Sequence, residues 1–125
     1  MSLGLKIRSH LVLAMWIVLL FTAACSSRSE QRRNESCLKQ DLYELRTAID
    51  QYTQDKHKSP QELNDLVTSG YLKHIPKDPL TNSDSTWVIL KEDVLFSSSQ
   101  PELGISDVHS GSHRISSEGT PYDSW

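Results

Sequence analysis

Residues 37–58 read CLKQDLYELRTAIDQYTQDKHK, and the fold is decided there. Leu38, Leu42, Leu45, Ile49 and Tyr52 recur at i, i+4, i+7, i+11 and i+14, a single apolar stripe along an amphipathic helix. Lys39, Asp41, Glu44, Arg46, Asp50 and Gln51 fall between them as a solvated face, and no Gly or Pro interrupts the run. A helix with one apolar stripe must bury it against another layer, so the rest of the chain has to supply that layer.

Downstream, Ser59, Pro60 and Glu62 suit the N-cap, first position and capping box of a second, shorter helix. Its buried stripe is Leu63, Leu66 and Val67, and Gly70 is its stop. Pro76 and Pro79 then bar a helix. Residues 86–90, TWVIL, are aromatic and β-branched and predict a strand, with residues 91–93 as a turn and Val94-Leu95-Phe96 as the hairpin partner. Residues 105–108 predict one more short strand. The tail from Ser110 is rich in Gly, Ser and Thr yet carries Tyr122 and Trp125, which predicts that it folds back and docks. Helices segregated from strands indicate an α+β domain over residues 37–125. Leu45 and Ile49 are expected to pack on the sheet through Trp87 and Ile89, with Trp125 completing the core.

Upstream, residues 26–36, SSRSEQRRNES, are polar and read as a tether or the frayed start of a helix. Before them lies an unbroken apolar run, residues 11–21, LVLAMWIVLLF, preceded by Lys6 and Arg8 and followed by Thr22-Ala23-Ala24-Cys25. This is the layout of a secretory signal. The stretch from Leu11 to Cys25 spans 15 residues, short of the about 20 that cross a bilayer as a helix. The ending T-A-A-C-S-S resembles a bacterial lipobox. That resemblance implies residues 1–24 as a signal peptide, a cut before Cys25, and acylation of the Cys25 thiol. The alternative is an uncleaved signal-anchor with Cys25 at the membrane interface. Either anchor ties the chain to a bacterial membrane through its N-terminal segment and places the domain in the periplasm, with Lys6 and Arg8 kept in the cytoplasm.

The 125 residues are 37% hydrophobic and 23% charged, which suits one globular domain beyond the N-terminal segment. A formal charge of -3 leaves no basic footprint for nucleic acid. Two cysteines exclude a disulfide-rich scaffold and a four-cysteine zinc site. There is no CxxC, HExxH, glycine-rich phosphate loop or nucleophile elbow, so a non-enzymatic protein is expected.

Taken in order, residues 41–52 (DLYELRTAIDQY), 59–60 (SP), 63–66 (LNDL), 70–72 (GYL), 75–79 (IPKDP), 86–87 (TW), 107–112 (DVHSGS), 119–122 (GTPY) and Trp125 resemble the major pseudopilin of type II secretion systems, the G subunit of the general secretion pathway. The resemblance implies a pilin-like fold: a helical spine, a short helix, a small antiparallel sheet and a docked C-terminal loop. It implies a role in protein secretion across the outer membrane, with other pseudopilins or secretion-platform proteins as partners. The alternative is a free-standing lipoprotein binding module that retains only the pilin fold. The N-terminus departs from the family, whose prepilins are cut after a Gly and carry a Glu at the fifth mature position; after Gly4 that place falls to Ser9. The family's C-terminal loop often binds calcium, which by resemblance points to Asp107, Ser110 and Asp123. The competing reading is a loop held by Tyr122, Trp125 and hydroxyl-to-backbone bonds. His109 and His113 stand four apart, a zinc spacing on a helix, but Ser110-Gly111-Ser112 between them argues against a helix.

Overall fold

A computed structural model describes residues 2–95, Ser98 and 102–125. The chain forms two compact units, Met1–Arg33 and Asn34–Trp125. Among the described residues the elements are α1 (Ser2–Lys56), α2 (Leu63–Thr68), β1 (Val88–Lys91), β2 (Ile105–His109) and a 3-10 turn over Tyr122–Ser124. This order bears out the α+β expectation.

The helix read from residues 37–58 is the last part of α1. Residues 26–36, expected as a tether or a frayed start, are helical throughout. Their serines do not compete with the helix, because the hydroxyls of Ser27 and Ser29 bond back to the carbonyls of Ala24 and Ser26. The helix ends where His57 takes a left-handed backbone, with φ 53°. In the first unit the residues from Leu11 to Phe21 are exposed all round the helix. Among the described residues α1 is the one helix long and apolar enough to cross a membrane, and that apolar window has no protein cover.

The short helix starts later than Ser59 predicts. Its N-cap is Glu62, and the capping box pairs Glu62 with Asp65. The Asp65 carboxylate accepts from the amides of Gln61 and Glu62 at 2.8 and 3.0 Å, so those amides are satisfied one turn beyond the proposed cap. Ser59 is buried and its hydroxyl bonds the Glu92 carboxylate instead. Gly70 is the stop as expected: at φ 83° it turns the chain so that the amides of Tyr71 and Leu72 reach the Leu66 carbonyl.

The first strand begins two residues after Thr86, and its partner is not Val94-Leu95-Phe96. Val94 and Leu95 are exposed and outside any strand, and Phe96 lies outside the described residues. β1 pairs antiparallel with β2, Val88 opposite His109 and Ile89 opposite Val108, with an irregularity between Leu90 and Lys91. β2 wins because it brings Ile105 and Val108 into the core, whereas Val94 and Leu95 are exposed. Trp87 precedes the strand, buried, with its indole N–H donating to the Pro76 carbonyl at 2.8 Å.

One hydrophobic core holds the second unit together. α1 contributes Leu38, Leu42, Leu45, Ala48, Ile49 and Tyr52, the whole predicted stripe. Leu66, Trp87, Ile105, Val108 and Tyr122 meet it, with Ile89 and Trp125 partly buried at its margin. Leu45 is fully buried at the middle of the stripe. Leu45→Ala is therefore expected to lower stability by about 2–5 kcal/mol through the cavity it leaves. An unchanged denaturation midpoint would place the buried face of α1 elsewhere.

Candidate functional site

The docked tail and the face of α1 beneath it are joined by polar contacts that reach across the chain. The set begins at Glu35, three residues before Leu38, where the apolar stripe extends back by one turn. Glu35 is buried at 6% exposure. Its carboxylate accepts from the Ser117 amide at 2.7 Å, the Ser117 hydroxyl at 2.5 Å and the Tyr122 hydroxyl at 2.7 Å. A buried carboxylate with three donors is costly to expose to any one loss, so it fixes the tail's register on the helix.

One turn on, Lys39 reaches Glu118 at 2.7 Å and lies 4.6 Å above the Trp125 ring. Two turns further, Arg46 spreads its guanidinium over three partners: the Asp107 carboxylate at 2.7 Å, the Val108 carbonyl at 3.0 Å and the Trp125 carbonyl at 2.9 Å. Lys39 and Arg46, read from the sequence as part of the solvated face of the helix, clamp β2 and the tail. Their length is the reason, since both side chains span to a neighbouring layer while the apolar stripe stays shut. Tyr122 and Trp125 stack edge to face at 5.2 Å, and the Trp125 indole donates to the Thr120 hydroxyl. The Ser116 hydroxyl accepts from the amides of Glu118 and Thr120.

Asp107, Ser110 and Asp123 do not converge on a common point. Asp107 faces Arg46 and, at 3.3 Å, His109. Asp123 faces His113 at 2.6 Å. The Ser110 hydroxyl donates to Asp78 at 2.7 Å. A calcium ion needs six to eight oxygens turned inward, and here each oxygen set is turned to a different protein donor. The residues present therefore do not fit calcium. His109 and His113 both meet Asp123, one ring at its carbonyl and the other at its carboxylate. Among the described residues no group of three His, Cys, Asp or Glu stands where it would hold a metal ion.

Asp78 holds the other side of the tail. It is fully buried and accepts from the amides of Leu80 and Gly111 and from Ser110. Burial, then the carboxylates of Glu44 and Asp78, hold Asp41 above the ordinary carboxylate value. Burial acts upward on Asp107 too, but the Val108 amide, the Arg46 guanidinium and His109 outweigh it and hold Asp107 below its ordinary value. Cys25 is exposed on α1, and so is Cys37.

Comparison of the chain with protein-family models, with curated proteins and with solved structures gives no match.

An acid with a depressed folded-state pKa stabilises above its unfolded value, and that stability is lost as pH falls through the folded value. Arg46→Ala should therefore lower the melting temperature most above about pH 4, with the gap to the parent chain narrowing below it. Thermal melts from neutral to strongly acidic pH measure this; a gap that stays constant would mean that Asp107 is not what Arg46 holds.

Proposed function

We propose that this chain is a non-enzymatic, pseudopilin-like component of a bacterial envelope, anchored in a membrane through its N-terminal segment and working in type II secretion with other pseudopilins or platform proteins. The observation that carries the reading is α1: an exposed apolar stretch and the spine of the folded unit belong to one helix, Ser2–Lys56. A spine closed by a short helix, a two-stranded antiparallel sheet and a docked tail is the arrangement that the pilin-like resemblance implies. The tail is closed by Glu35, Lys39 and Arg46, so this reading requires no calcium. The apolar stretch of α1, long enough to cross a membrane, supports the envelope placement.

A free-standing lipoprotein module is the second reading. It is favoured by the exposure of Cys25 directly after Ala23 and Ala24, where a lipid-transferring enzyme would find the thiol open. An acylated Cys25 would hold the chain firmly after loss of residues 1–24.

Two measurements separate these. Secretion-platform proteins should co-purify with the membrane-extracted chain, and its deletion should impair secretion; a chain found alone, with secretion intact, contradicts the first reading. Intact mass reports the anchor. Loss of residues 1–24 with a gain of acyl mass, abolished in Cys25→Ser, identifies the lipoprotein, whereas the uncut mass identifies a retained helix.

A further inference from the structure

Among the described residues β1 has a strand neighbour on one side only, β2. In an antiparallel pair each strand turns alternate N–H and C=O groups toward its neighbour and the rest away from it. The outward groups of Val88–Lys91 meet no other backbone group among the described residues. Such an edge pairs readily with an extended chain, and charge or proline ordinarily blunts it. Here Val88, Ile89 and Leu90 are all apolar, and Val88 and Leu90 are exposed. Lys91 is the one charge in the strand.

A cleft runs beside the same residues. Trp87, Ile89 and Lys91, spaced two apart and so on one face, line a space of about 520 Å³. Leu63 and Ile75, both half-buried, add apolar lining, and Asp84 adds an acid. Asp84 is exposed and has no ion pair among the described residues. The Lys91 ammonium donates to the neutral Gln61 carbonyl at 2.9 Å, which leaves its charge unbalanced. The segment that lines the cleft therefore runs from an unpaired acid to an unpaired base.

We propose that the outer edge of β1 and this cleft form a docking site for an extended segment of another protein, which joins the sheet as a third strand antiparallel to β1. An extended chain is the shape whose N–H and C=O groups match the spacing of an open strand edge. The segment that fits has β-branched residues two apart, an acid at its N-terminal end to meet Lys91, and a Lys or Arg at its C-terminal end to meet Asp84. A two-stranded sheet gains order from the addition, since three strands begin to be stable where two are not. A second copy of this chain would bring its own Leu63 and Ile75 beside the same edge, whereas a segment without a fold of its own enters the cleft unencumbered.

The test uses the full chain in detergent micelles, its amides isotopically labelled, with the synthetic end-blocked peptide Glu-Thr-Val-Thr-Val-Thr-Lys as probe. Titration should shift the amides of residues 88–91 saturably and slow their hydrogen exchange. N-methylation of the peptide at the alternate nitrogens that face β1 should weaken binding by about tenfold, and so should exchanging its two charged end residues. Asp84→Lys/Lys91→Glu, with unchanged circular dichroism, should prefer the peptide whose end charges are exchanged. The absence of a saturable shift, binding that ignores N-methylation, or a folded variant that keeps the parent's preference overturns the site. So do shifts at residues 88–91 that follow the chain's own concentration with no peptide present, which make a second copy the occupant. None of these outcomes touches the anchored reading, which the intact mass and co-purification decide.

Discussion

A sheet of two short strands has no independent stability, and that constraint governs the second unit. β1 and β2 together span nine residues, four in one and five in the other. Neither α2, with six residues, nor the 3-10 turn forms a layer of its own. The buried apolar side chains of the short helix, β2 and the tail, namely Leu66, Ile105, Val108 and Tyr122, belong to one core with the α1 stripe. The long helix is therefore the substrate on which the other elements condense, and its burial is the source of their order.

Polar contacts then decide how the tail lies on that helix. Glu35, Lys39 and Arg46 present an acid and two bases along α1, and the tail answers with donors at Ser117 and Tyr122, an acid at Glu118 and the Trp125 carbonyl, while β2 adds the Val108 carbonyl. Buried polar groups must be matched, so a shifted register leaves Glu35 without its donors. On the far side Asp78 does the same for Ser110 and Gly111. The loop that the pseudopilin resemblance assigns to calcium is in this way filled by cationic side chains and hydroxyls of the chain itself.

The apolar stripe was legible because periodicity records burial directly: Leu38, Leu42, Leu45, Ile49 and Tyr52 are all in the core. Tail docking was legible for a similar reason, since Tyr122 and Trp125 are too large and apolar to leave in water. The cap was not, because Ser59 with Glu62 and Glu62 with Asp65 are both acceptable boxes and only tertiary packing chooses between them. The strand pairing was not, because β1 meets a segment beyond a loop, and local alternation does not encode long-range partners. Glu35 was hidden inside a polar run, although extending the stripe back by three residues lands on it. Asp107, Ser110 and Asp123 were counted by donor type; whether another side chain already claims those oxygens is a property of the fold alone.

If α1 is the common support, the sheet and tail cannot persist without it. Native-state hydrogen exchange on the full chain and on Leu45→Ala reads this most directly. The account predicts that the amides of Ile89, Val108 and Tyr122 and those of residues 42–49 lose protection by the same factor in the variant, because they open together. Protection at Val108 and Tyr122 that survives while residues 42–49 exchange freely would contradict it.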